Sequence, residues 1–216
     1  MTTRVRKSAE DRKAEIVDAA LRLADDIGPD RLSTEALAKA VGISQPGIFR
    51  HFPTKAKIWE AVAERIGERL RTISARSDKK QSHPIDQLRV LVIGHLSFIQ
   101  KTPAMTAILF SRELHAKNDT LRVFFARMIA NRQAHISRLI AAEIEAGRFD
   151  KALNADDAAY LILALIQGLA MRWSLNARGF DLVDEGCRLL ELQLKGFRSV
   201  QQPTMNQPNV DRNPQT

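Results

Sequence analysis

In "GISQPGIFRHFPTK", residues 42–55, one glutamine, one arginine, one histidine and one lysine fall within eleven positions of each other. Gln45 offers a paired donor and acceptor, and Arg50 offers a fork of N–H donors. Such groups bind a base edge bidentately, glutamine suiting adenine and arginine suiting guanine. Lys55 and Thr34 each stand where a helix is expected to begin, and free backbone N–H groups there favour a phosphate. Chemistry of this kind works only if a rigid element holds the side chains on one face.

The surrounding spacing supplies that element. Ser44 is an N-cap type, and Pro46 then lies in the first helical turn, where its missing N–H has no intrahelical partner to lose. Phe52-Pro53 ends this short helix, and Thr54 caps the next, from Lys55 to about residue 75. Upstream, Ser33 caps "TEALAKAV" and Gly42 closes it with the positive φ of a tight turn. Ile16, Ala20, Leu23 and Ile27 mark one face of a preceding helix, which "GPD" at 28–30 terminates. Two short helices are not stable alone and need that third one to cover them. Leu37, Val41, Ile43 and Ile48 are the inward positions, and Ala38 is small where the pair crosses. The pattern is a helix-turn-helix, with Gln45, Pro46, Gly47, Phe49, Arg50 and His51 on its outer face. Gly47 lowers helix propensity by about 1 kcal/mol, which a close backbone approach to nucleic acid would justify. Arg4, Arg6 and Lys7 could form an arm toward phosphates, or a solvated terminus.

These residues resemble the N-terminal signature of the TetR family of transcriptional regulators. Thr34, Ala38, Gly42, Ile43, Ser44, His51, Phe52, Thr54 and Lys55 stand in register with it. The resemblance implies that Thr34, Ser44, Gln45, Pro46, Gly47, Phe49, Arg50, His51 and Lys55 meet double-stranded DNA at a palindromic operator. It further implies a homodimer, a small-molecule effector, and repression as the usual outcome. Two positions depart from the family pattern. Phe49 replaces the usual tyrosine and loses a phenolic hydroxyl. Glu35 follows Thr34 where a basic or neutral residue is common, and phosphate would repel its carboxylate. On these two departures alone rests the alternative, a helical small-molecule-binding protein or enzyme without DNA function.

The rest of the 216 residues read as helix without strand or hairpin signals, so the chain is expected to be all-α. Residues 8–57 form the expected DNA-binding unit, 58–200 a larger effector-binding and dimerisation domain, and 201–216 a disordered Gln/Asn/Pro-rich tail. Helices are expected over 85–102, after Pro103, over 118–146, within 155–179 and over 182–198, with a polar connector at 75–84. The dimer surface is placed on the last two helices, with stripes Leu161, Leu165, Leu169 and Leu189, Leu190, Leu194; Ala158, Ala164 and Gly168 would permit close crossing. An effector cavity is sought among His95, Phe98, Met105, Leu109, Phe124, Met128, Gln167, Met171 and Trp173, a set that suits an apolar or aromatic ligand.

The composition constrains the remaining classes. Lys and Arg total 33 against 25 Asp and Glu, a net charge of +8, yet residues 1–60 carry 11 basic and 9 acidic side chains. The charge is thus no basic tail. Cys187 is the only cysteine, which excludes an intramolecular disulfide and a Cys-based zinc site; its apolar neighbours suggest a buried thiol. Asp25-Asp26 and Asp156-Asp157 are sequence neighbours whose carboxylates diverge on a helix. No metal, cofactor or catalytic constellation is read. With no signal-peptide pattern and no run judged long enough to span a membrane, a cytoplasmic setting is expected.

Overall fold

The computed structural model describes residues 8–78 and 83–198, and among these it contains ten helices and no strand. Arg4, Arg6, Lys7 and the 201–216 tail lie outside the described residues. The first helix, α1 (Ala9–Ile27), begins nearly two turns before the apolar spacing that betrays it. The Ser8 side chain accepts from the Asp11 N–H at 3.0 Å, and Glu10 and Asp11 complement the helix dipole.

Next come α2 (Thr34–Val41) and α3 (Gln45–His51). Ser33 caps α2 through the Ala36 N–H, and Ser44 caps α3 through the Gly47 N–H. Gly42 between them adopts φ 71° and ψ 38°, a left-handed conformation that suits glycine. α4 (Lys55–Asp78) is three residues longer than its expected end at residue 75, and Thr54 caps it through the Lys57 N–H at 3.3 Å.

The body comprises α5 (Pro84–Lys101), α6 (Ala104–Phe110), α7 (Arg112–Ala116), α8 (Asp119–Glu145), α9 (Ala155–Leu175) and α10 (Leu182–Gly196). α5 is its axis, packed against α4, α8, α9 and α10. Ile16, Leu37, Ile48 and Ile58 are fully buried in the head, as are Leu88, Leu96, Leu121, Ile140 and Ile162 in the body. The one-turn helix α7 has no apolar period to announce it. Ser111 nucleates it by accepting from the Leu114 N–H at 3.0 Å.

By length and composition α9 could cross a membrane, contrary to the reading that no run is long enough. In this fold it packs instead against α8, α10 and α5, burying Ala158, Ile162, Ile166, Leu169 and Trp173. Cys187, expected as a buried thiol, is half-buried on α10, and burial pushes its pKa up. Glu143 is 1% exposed near the end of α8. Its carboxylate accepts from the Ile85 N–H at the start of α5 and from Arg148 at 2.6 and 2.9 Å. Burial would raise its pKa, but these donors outweigh burial and hold the group below its ordinary value.

Where α10 crosses α5, a Cβ on Gly186 would lie 2.1 Å from Leu96 Cδ1. Because Leu96 is itself fully buried, it has little room to yield. Gly186→Ala should destabilise the protein by about 1–3 kcal/mol through overpacking. In urea the transition midpoint should fall while its slope stays unchanged.

Candidate nucleic-acid interface and effector cavity

α3 is anchored from beneath by Ile48, which has no exposed surface. Residues 46, 49 and 50 occupy the opposite side, and all three are exposed. Phe49 presents 42% of its surface to solvent, a large exposure for an unpartnered ring. Gln45 and Thr34 are not independent. The Gln45 amide donates to the Thr34 hydroxyl at 2.7 Å, tying the first residue of α3 to the first residue of α2. Arg12 from α1 joins Gly42, Ser44, Gly47, Arg50 and His51 around a shallow concavity of about 600 Å³. Arg12 was missed in the sequence, where its pairing partner Glu15 makes it read as an ordinary solvated ion pair.

Gly47 has a reason inside the protein for lacking a side chain. It is half-buried, and an added Cβ would stand 3.3 Å from Ser44 Oγ and 3.5 Å from the Ile43 side chain. It therefore faces the turn rather than straight outward. Ser44 is committed to its capping bond. Lys55 and His51 are half-buried at the next helix junction.

In the body, five of the nine sought cavity residues come together. His95, Met105, Leu109, Met128 and Gln167 line a small, partly open cavity of about 30 Å³ between α5, α6, α8 and α9. The other four lie elsewhere. Phe124 is in an open groove between α4 and α8, and Phe98 is in a separate concavity with Ile73 and Gly94. Met171 lines neither, and Trp173 is buried near the end of α9, donating from its ring N–H to the Phe180 carbonyl at 3.0 Å. Spacing along α5 and α9 reveals which residues are apolar but not which neighbour covers them.

Thr106 and Arg132 also line this cavity and were not anticipated. Arg132 continues the inward row of Phe125, Met128 and Ile136 on α8, a signal masked by its charge. Its guanidinium donates to the Leu70 carbonyl and to Ser74 Oγ, both at 3.1 Å, and burial lowers its pKa to about 10. Burial, reinforced by Arg132, lowers that of His95 to about 3. Nδ1 of His95 and Oγ1 of Thr106 are buried with no hydrogen-bond partner among the described residues.

Of the expected stripes on the last two helices, Leu161 is the one exposed member. Leu169, Leu190 and Leu194 are in the protomer's own core, as is Ala158, while Leu165 and Leu189 are half-buried. Tyr160, Leu161, Leu175 and Leu192 are the large apolar side chains left outside.

A capped helix-turn-helix head on a helical body with an internal cavity defines a ligand-responsive DNA-binding protein. A family model for bacterial regulatory proteins of the tetR family matches residues 16–62, and one for the C-terminal region of YsiA-like proteins matches residues 62–196. The chain belongs to the TetR family of transcriptional regulators, whose members bind DNA and small-molecule effectors and act as dimers. A nucleoid occlusion factor SlmA from Marinomonas sp. is 30% identical over 159 residues, 73% of this chain and 80% of its own length. The fold is shared with the transcriptional regulator FadR from Bacillus subtilis, solved with stearoyl-CoA (TM-score 0.72, 20% identity, 85% of this chain and 98% of that one). It is shared too with the ketosteroid regulator KstR2 of Mycobacterium tuberculosis (TM-score 0.74, 17% identity, 88% and 96%).

The buried His95 makes stability depend on pH. Its folded pKa lies below the ordinary 6.5, so between about 3 and 6.5 the unfolded chain holds a proton that the folded chain refuses. Stability is therefore fully present above pH 6.5 and falls as pH drops through that window. The loss from this group at pH 5 should be about 2 kcal/mol. Urea denaturation of His95→Asn at pH 7.5 and pH 5 should show a smaller difference than the parent.

Proposed function

We propose that the protein is a repressor released from a palindromic operator when a small apolar or aromatic effector occupies the cavity beneath α8. One observation carries this reading: α6 is a wall of the cavity and also packs on α1. Met105, Thr106, Leu109 and Phe110 of α6 face the cavity, and the next residue, Ser111, donates to Asp30 at 2.6 Å. A cavity of about 30 Å³ has room for about one water. A ligand that enters must displace its walls, and moving α6 moves α1 and the α3 that rests on it. In a dimer this alters the separation of the two reading heads, which must match half-sites about one helical turn apart.

In this reading Arg50 and Gln45 reach base edges. Thr34, Ser44 and Lys55 meet phosphates, Pro46, Phe49 and His51 pack against the backbone, and Gly47 keeps the turn close. Residues 8–57 form the DNA-binding unit and 58–200 the effector and dimer unit, the partner copy covering Leu161 and Leu192. The protein works in the cytoplasm and has no catalytic role.

A second reading is favoured by the likeness to the Marinomonas nucleoid occlusion factor. It would make the protein bind many chromosomal sites regardless of ligand. Genome-wide mapping separates the two, since a repressor occupies a few promoters.

Three outcomes are expected. Arg50→Ala should weaken operator binding about tenfold or more, as loss of a bidentate base contact does. Lys55→Ala should weaken binding across sequences and reduce the salt slope by about one. Equal binding by both variants and the parent, measured by fluorescence anisotropy, would mean that this face does not read DNA. Leu161→Arg combined with Leu192→Arg should yield a folded monomer in sedimentation analysis.

A further inference from the structure

The last turn of α1 carries the wrong charges for its place. Asp25 and Asp26 stand there with no basic residue, although a helix C-terminus favours cations. The helix then ends on Gly28 at φ 84° and ψ 149°, outside the left-handed cap that closes α2 at Gly42. α1 also carries the reading head, since α2 and α3 both pack on it. A cation for this end has to come from elsewhere in the chain.

Arg178 supplies it from 153 positions away. Its guanidinium pairs with Asp25 and lies over the Trp173 ring, 5.7 Å from the ring centre. Reaching that position strains the backbone. Ala177 and Arg178 adopt φ 48° and 63°, a region unfavourable for any residue with a Cβ. Gly179 could adopt it freely, but stands one position later and keeps a φ outside it. The Arg178 N–H donates to the Trp173 carbonyl at 2.8 Å, and the Gly179 N–H donates to the Asn176 carbonyl at 2.9 Å. The Trp173 ring N–H, bonded to the Phe180 carbonyl at 3.0 Å, fixes the platform on which the guanidinium rests. A strained arginine where glycine would fit without strain points to a task for its side chain.

The platform continues the cavity wall. Leu163, Ile166 and Ala170 line the cavity from α9, and Trp173 extends their face at three- and four-residue spacing.

We propose that Arg178 is a positioning residue for operator binding. Stacked on Trp173 and paired with Asp25, it locks the C-terminal end of α1, and with it the reading head, to the cavity wall formed by α9. A shift of this end of α9 then reaches α1 through the Arg178 turn as well as through α6. This rests on the DNA-reading role of the head and adds a second link between head and cavity.

The test uses Arg178→Gly and Asp25→Ala in the full chain, because each relieves a local strain or charge while cutting the tie. Glycine removes the backbone strain. Alanine removes a carboxylate from a helix C-terminus and is the better helix former. Local effects alone would therefore slow amide hydrogen exchange at the end of α1, whereas loss of the tie speeds it. Exchange at residues 21–27 should rise about threefold in both variants while the urea midpoint does not fall. Affinity for the duplex that the parent retains from fragmented genomic DNA should drop about fivefold, as loss of one ion pair in each of two protomers allows. The double variant should lose no more than either single one. Unchanged or slower exchange in α1 would overturn the proposal. So would a lowered urea midpoint with parental DNA affinity, or losses that add in the double variant. A parent that retains no duplex, with exchange still faster in both variants, keeps Arg178 as the anchor of α1 and sinks the DNA reading.

Discussion

A helix of seven residues cannot hold itself together in water, because its nucleation penalty exceeds what so few hydrogen bonds return. The surface proposed to read DNA depends on overcoming that limit for α3. Ile48 does most of it, buried completely under the head, and the Ser44 cap and the Gly42 turn complete the constraint. With the underside fixed, Pro46, Phe49 and Arg50 have nowhere to go but outward. The bond from Gln45 to Thr34 joins the two helix starts, so the surface responds as one piece.

That rigid head is joined to the body by apolar packing of α1 on α4 and α6, with two polar ties at the C-terminal end of α1. Ser111 bonds Asp30 just beyond α1, and Arg178 in the turn after α9 pairs with Asp25 near the end of α1. Arg178 and Ala177 both adopt positive φ there, and the Arg178 guanidinium also lies 5.7 Å from the centre of the Trp173 ring. Packed interfaces of this kind shift between discrete arrangements rather than deform smoothly. A wall shared by cavity and head is therefore a natural relay.

Much of this was legible in the residues, and what was not has physical causes. Caps and breakers are local, so Ser33, Gly42, Ser44 and Thr54 mark their helices within the sequence itself. Ser8 and Ser111 carry the same chemistry but lack an adjacent apolar period, and α7 went unread for that reason. Periodicity reports that a face is apolar without saying what covers it. Leu169, Leu190 and Leu194 thus looked like dimer surface and are core, while Phe98 and Met171 looked like cavity and are not. Charge misleads in the opposite sense. Arg132 and Glu143 would ordinarily be solvated, and only the tertiary structure shows one buried beside a cavity and the other bonded to the start of α5.

The central claim is that two copies of α3 read two half-sites on one face of a duplex. Hydroxyl-radical footprinting on the DNA upstream of the protein's own gene and its neighbours tests it most directly. The account predicts two protected segments related by a dyad, their centres about one helical turn apart, both lost when effector is added. Uniform protection without a dyad, or no protection at any site, would contradict it.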